Sequence, residues 1–180
     1  MHCEAFAECE RVVDGLLSYC QYDKSLLTAS VAEVTYGTIQ YILDGEESLD
    51  DLEGCEKTVF GTKFEKRWIK RLDLPRKVSQ RKNPHNLKLD TRVAGFDLDV
   101  KTTLGGTTWM IPREAVGHWL FLVQVKPKIE TVSYGVFKAL PEYLTTGKNQ
   151  DEKVSVSKVG KRAIRWIEQG ASYAPAGEGA

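Results

Sequence analysis

The chain has 180 residues, 42% apolar and 28% charged, with a formal net charge of zero. That is enough apolar material for one domain with a real core, and it excludes a chain disordered throughout. The most apolar stretch, Trp119 to Val123, is only five residues long, whereas a membrane-spanning helix needs roughly 20.

The start, MHCEAFAECERVVDG, places acidic residues where a secretory signal needs a basic flank, which points to an intracellular, cytoplasmic protein. Four cysteines (Cys3, Cys9, Cys20, Cys55) crowd one end of a chain that needs no staples, so free thiols are expected. Residues 1–24 have weak periodicity and read as an N-terminal extension in which Val12, Val13, Leu16 and Leu17 form one helical turn or two. From Ser25 to Asp44 the residues Leu27, Val31, Val34, Ile39, Ile42 and Leu43 recur at helical spacing before Gly45, predicting an amphipathic helix. The acidic run Glu46 to Glu56 then reads as a loop or short turn.

A second helix is predicted over Val59 to Leu72. On its wheel Glu65 falls inside the apolar arc of Phe64, Trp68, Leu72 and Ile69. A carboxylate there must be paired, hold a cation or sit at the lip of a cleft, because unpaired burial is costly. The competing reading is a Glu that reaches past Phe64 or pairs with Arg67 or Lys70.

Pro75 ends that helix, and Arg76 to His85 is a basic, polar loop. Strands follow at Leu87 to Val93 and Phe96 to Thr102, joined through Ala94-Gly95 as a tight hairpin. In the second strand Phe96, Leu98 and Val100 share one face, while Asp97, Asp99 and Lys101 share the other. Gly105-Gly106 opens a loop before a short extended piece at Trp109 to Pro112. Strands at His118 to Val125 and Ser133 to Ala139 come next, then a loop from Leu140 to Asp151. A last helix over Ser157 to Gln169 would turn Val159, Ala163, Ile164 and Ile167 inward, and residues 170–180 read as a disordered tail. Domain bounds of 25–170 and an α/β or α+β class with a mixed central sheet flanked by helices follow from this order.

Charge is unevenly spread. Residues 1–56 hold 2 basic and 13 acidic side chains, residues 57–101 hold 13 and 5, and residues 102–180 hold 10 and 7. A basic middle segment in a neutral chain suggests a positive surface offered to a polyanion. Asp99 and Lys101, with Asp90 on the neighbouring strand, bring carboxylates and an ammonium together, a pattern suited to Mg²⁺ beside a phosphate. An exposed sheet face with alternating charges gives the same D-x-D-x-K pattern without activity. Glu65 and the adjacent basic loop shift the balance toward phosphodiester hydrolysis on DNA.

Asp90 followed by Asp99-Val100-Lys101 resembles the PD-(D/E)xK nuclease signature. The surrounding segments EKTVFGTKFE (Glu56 to Glu65), LDTRVAGFDLDVKTT (Leu89 to Thr103), WMIPREAVGHWLFLV (Trp109 to Val123) and SVSKVGKRAIRWI (Ser155 to Ile167) are similar to the endonuclease domain of the NaeI-type restriction enzymes, over roughly residues 24–170. The resemblance implies an α/β, restriction-endonuclease-like fold and a Mg²⁺-dependent type II endonuclease, with Mn²⁺ able to substitute. It implies no nucleotide cofactor, a double-stranded DNA substrate and a homodimer. It also implies that Glu65 orients a metal-bound water, that Asp90, Asp99 and the Val100 carbonyl bind metal, and that Lys101 is the catalytic lysine. Leu89 stands where the motif's name has proline, and Asp97 competes with Asp90 for the metal. Lys77, Arg81, Lys82 and Arg113 are the expected DNA contacts, although Arg113 could equally brace its loop through a salt bridge. The family's second, C-terminal DNA-binding domain would begin where these residues end. A repair or structure-specific nuclease on the same fold and a non-catalytic DNA-binding module are the alternatives.

Overall fold

The computed structural model describes residues 3–43, 54–79, 81–147 and 152–175, with the side chains of residues 3–5 and 54–57 left out. Among the described residues three helices precede the strands: α1 (Cys3–Ser18), α2 (Lys24–Leu43) and α3 (Gly54–Arg71). The strands β1 (Thr91–Val93), β2 (Phe96–Leu104), β4 (Trp119–Lys126), β5 (Thr131–Lys138) and β7 (Arg165–Ser172) form one sheet in the order β1-β2-β4-β5-β7. Only the β2–β4 pair in it is parallel. A separate two-stranded ribbon joins β3 (Met110–Ile111) to β6 (Val154–Ser155), and a five-residue helix α4 (Lys158–Arg162) precedes β7. This is the mixed α/β architecture expected from the sequence.

Both faces of the sheet are covered, which explains why β4 reads as an unbroken apolar run. One face packs Leu98, Val100, Phe121, Val123, Tyr134 and Val136 against the helices through Phe60, Phe64, Trp68, Val31 and Leu16. Trp68 stacks on Phe121 with ring centroids 4.0 Å apart. The other face packs Leu120, Leu122 and Phe137 under Trp109, Ile111, Val156 and Ile164 from the ribbon and its flanks.

Several sequence expectations need correction. Residues 3–18 form a full helix, and Val12, Val13 and Leu16 lie in the same core as α2 and α3. Polar contacts fix it further: Glu8 pairs with Lys138 and accepts from the Trp119 indole, and Glu10 lies 3.3 Å from Arg165. Acidic residues on its outer turns had hidden a narrow apolar stripe.

The strand expected over Leu87 to Val93 is only three residues long, because Asp90 leaves the ladder. The last helix stops at Arg162, five residues after Ser157 caps it by accepting from the Gly160 N–H at 3.0 Å. The chain then extends as β7 against β5, with Ile167 on the helix side and Trp166 on the ribbon side. Val159, expected inward, is exposed. Side chains alternating to two apolar layers satisfied the helical template over this short span, and pairing with β5 decided between the two.

Residues Ala171 to Tyr173 continue the order into the expected tail: β7 reaches Ser172 and Tyr173 is buried. Residues 176–180 and most of the acidic run, residues 46–53, lie outside the described residues, while residues 54–58, expected ahead of the second helix, form the first turn of α3. Cys9 and Cys20 are free and buried, as expected for the two thiols described. Among the described residues no helix is long and apolar enough to cross a membrane.

Candidate active site

The hairpin β1–β2 turns through Ala94 and Gly95, both at positive φ (50° and 85°), the backbone a two-residue hairpin turn requires. Its register, Thr91↔Leu98 and Arg92↔Asp97, ends the ladder at Leu98. The next N–H on that edge, from Val100, has no strand acceptor. Asp90 supplies one, taking the bond on Oδ2 at 2.9 Å. The Val100 C=O points to the same edge, past the end of β1. A short edge strand therefore leaves β2 open where Asp99, Val100 and Lys101 sit.

Asp99 is buried on the ribbon side of β2, and its side chain is 6% exposed. Lys101 Nζ lies 2.7 Å from Asp99 Oδ2. The approach is ionic and not a well-aligned hydrogen bond, so that buried oxygen has no hydrogen-bond partner. Burial first, and then the Asp90 carboxylate within hydrogen-bonding reach, push Asp99 well above the usual carboxylate range, against the pull of Lys101. A buried carboxylate against the half-buried Asp90, with the Lys101 ammonium beside it, is a setting that favours a cation.

Glu65 enters from the opposite side. Phe64, Trp68 and Ile69 are buried on either side of it, so α3 presents Glu65 half-buried at the sheet edge, as the wheel predicts. Burial and the charge of Asp90 raise it to about 7, with Lys101 and Lys66 opposing. Arg67, the pairing partner considered from sequence, donates to the Gly37 carbonyl. Gly61, one turn earlier, lets α3 approach β2 closely: a Cβ there would stand 3.1 Å from Thr102 Oγ1.

Glu65, Val100 and Lys101 open onto a cleft of about 340 Å³ between α3, β2 and the β3–β6 ribbon. Thr58, Thr62, Met110, Glu114 and Lys153 complete much of its wall. Sequence reasoning missed these. The spacing of Thr58, Thr62 and Glu65 on one helical face was the available signal, whereas the ribbon side depends on long-range packing. The ribbon is held by the Trp109 indole donating to the Val123 carbonyl at 3.1 Å and by Gln124 donating to the Gly106 carbonyl at 2.8 Å.

Of the expected site residues, the structure brings together Glu65, Asp90, Asp99, Val100 and Lys101. Asp97 does not join them: it pairs with Arg92 at 2.7 Å and accepts from the Lys88 N–H at 3.0 Å. Burial opposes its charge, but the Arg92 and Lys88 hydrogen bonds prevail and hold it below the usual range. Competition with Asp90 is thereby removed.

In the basic loop Arg81 and Lys82 are exposed, while Lys77 donates to the Lys88 carbonyl at 2.9 Å. Arg113 is 84% exposed and 4.0 Å from an exposed Glu152, too loose a pair to brace its loop.

Among the described residues no three His, Cys, Asp or Glu side chains gather around one point. The donor set is a carboxylate pair with a backbone carbonyl and a more distant Glu. That suits Mg²⁺, which keeps several waters and takes one or two carboxylates. The buried Asp99 oxygen, held by charge against Lys101 without an aligned hydrogen bond, is the observation that fits a cation here.

A family profile described as "Restriction endonuclease NaeI" matches residues 27–176. The chain belongs to the NaeI restriction endonuclease family. It is 26% identical over 137 residues to the type II restriction enzyme NaeI of Lentzea aerocolonigenes, across 74% of this chain and 40% of that protein. The chain thus spans well under half the length of this NaeI relative. The family match includes all four charged site residues and starts after α1.

Proposed function

We propose that this chain is a Mg²⁺-dependent DNA endonuclease of the restriction type, with a PD-(D/E)xK site, hydrolysing phosphodiester bonds in double-stranded DNA at a specific sequence. The carrying observation is the buried Asp99 beside the half-buried Asp90, with Lys101 at 2.7 Å from Asp99, at the open edge of β2. Membership of the NaeI restriction endonuclease family supports the reaction class.

Asp90, Asp99 and the Val100 carbonyl would hold Mg²⁺ or Mn²⁺, with Glu65 bonded through a water. When bound, the metal lowers the pKa of a water and offsets charge on the phosphate. Lys101, 2.7 Å from Asp99, sits where it can orient that water and neutralise charge developing on the phosphoryl oxygens. Glu65 is poised to accept a proton near neutral pH. Water adds to phosphorus, the bond to the leaving sugar oxygen breaks, and that oxygen takes up a proton.

Arg81, Lys82 and Arg113 offer exposed cations for phosphate or base-edge contacts. A homodimer would place two such sites on the two strands of a palindromic target.

The test is incubation of the purified chain with supercoiled plasmid and phage DNA in Mg²⁺, beside Lys101→Ala and a Ca²⁺ control. Discrete fragments from the wild type alone are expected. A smear or nicking would point to a structure-specific nuclease, and binding without cleavage to a non-catalytic module.

A further inference from the structure

Arg92 and Asp97 face each other across the β1–β2 hairpin, with Nε 2.7 Å from Oδ1. The pair does more than join the two strands. The same guanidinium donates to the carbonyls of His85 at 3.3 Å and Asn86 at 3.1 Å, and the second oxygen of Asp97 accepts the Lys88 N–H at 3.0 Å. Asn86 stands at a left-handed φ of 48°, which helps two successive carbonyls converge on one guanidinium. Together these bonds fasten residues 85–88 onto the hairpin.

Residues 85–90 lie before β1 and have no place in the sheet ladder. Leu87 and Leu89 are buried there, but apolar packing sets depth and not the direction of a carboxylate. Asp90 comes two residues after the clamped Lys88 N–H, and its side chain must meet both the Val100 N–H and Asp99. Asp97 is nearly buried, with its side chain 7% exposed. With Arg92 37% exposed, the bond between them is partly shielded, which sets it apart from a fully exposed surface ion pair.

We propose that Arg92 and Asp97 are positioning residues: together they fix the backbone leading into Asp90, and so set the affinity of the Asp90–Asp99 pair for a divalent cation. The inference rests on the reading above that this pair holds the metal. Outer-shell partners that orient a ligand typically change metal affinity by about 10–100-fold when altered. Arg92→Lys keeps the charge opposite Asp97 but lacks the planar fork that reaches two carbonyls. Asp97→Asn keeps the shape and loses the charge that holds the guanidinium.

The experiment measures Mn²⁺ binding to the full chain, from the electron paramagnetic resonance signal of free Mn²⁺, for wild type, Arg92→Lys, Asp97→Asn and Asp90→Asn. Thermal melts of the same samples identify any variant that fails to fold. Binding by the wild type, loss in Asp90→Asn, and a weakening of about 10-fold or more in folded Arg92→Lys or Asp97→Asn are expected. The clamp variants should also need more Mg²⁺ for cleavage, with the rate at saturating Mg²⁺ returning to the wild-type value, a split that general destabilisation would not produce. Wild-type Mn²⁺ affinity in both folded clamp variants would overturn the inference and leave the metal reading intact. Equal binding by wild type and Asp90→Asn, or none by either, would overturn the metal reading and the inference with it.

Discussion

Asp99 shows at the residue scale how a site departs from the demands of stability. Its side chain is buried beside a second carboxylate, and one oxygen lacks a hydrogen-bond partner. Without a cation the folded chain holds protons on Asp99 and Glu65 more tightly than the unfolded chain does, since both groups are raised. The stability these protons supply is complete below the ordinary carboxylate range near pH 4–4.5 and is lost as pH rises toward 7 and beyond. The metal-free chain should therefore melt at a lower temperature at pH 8 than at pH 5.5, and Mg²⁺ should reverse part of that loss at pH 8.

Asp99→Asn removes the repulsion. It should raise the metal-free melting temperature at pH 8 by about 2–4 °C, corresponding to roughly 1 kcal/mol in a chain of this size. It should also abolish cleavage, and differential scanning fluorimetry with a plasmid assay would check both. The residues of this site were legible because their types and spacing are local to one hairpin and one helix face. The Arg92–Asp97 clamp was also within reach: a two-residue turn at Ala94-Gly95 fixes Arg92 opposite Asp97, and opposite charges facing across a hairpin attract.

Elements differ in how far sequence alone could place them. The helices α2 and α3 were legible, since each carries apolar residues at helical spacing over more than three turns. The strand β7 was not, because Ile164, Trp166 and Ile167 reach two different apolar layers and only contact with β5 separates strand from helix. The helix α1 was underestimated for a related reason: its stripe is narrow, and its burial depends on elements far along the chain. Leu16 is fully buried beneath it. Leu16→Ala should cost about 2–5 kcal/mol in urea unfolding, as core truncations do, where a dispensable extension would cost almost nothing.

Over the whole molecule, the basic segment from residue 57 to 101 contains the proposed catalytic lysine, the loop cations and Glu65, Asp90 and Asp99. Folding brings the acids to the edge of β2 and leaves Arg81 and Lys82 in solvent. DNA affinity should fall steeply with salt. The double variant Arg81→Ala with Lys82→Ala should lower the slope of log K against log salt by about 0.9 for each phosphate that is no longer neutralised. Lys77→Ala should change it less, because Lys77 is held by the Lys88 carbonyl. Fluorescence anisotropy across a salt series would measure both. Residue counts showed the basic segment, but they could not show which cations the loop keeps for its own backbone.

The most direct measurement of the proposed chemistry is a metal jump. Protein and plasmid are equilibrated in Ca²⁺, Mg²⁺ is added in excess, and the cut products are followed in time for wild type, Asp99→Asn and Lys101→Ala. Cleavage by the wild type with a loss of at least about 10²-fold in both variants, while DNA binding in Ca²⁺ persists, is the predicted result. Cleavage by Asp99→Asn and Lys101→Ala at the wild-type rate would contradict a catalytic centre at the open edge of β2.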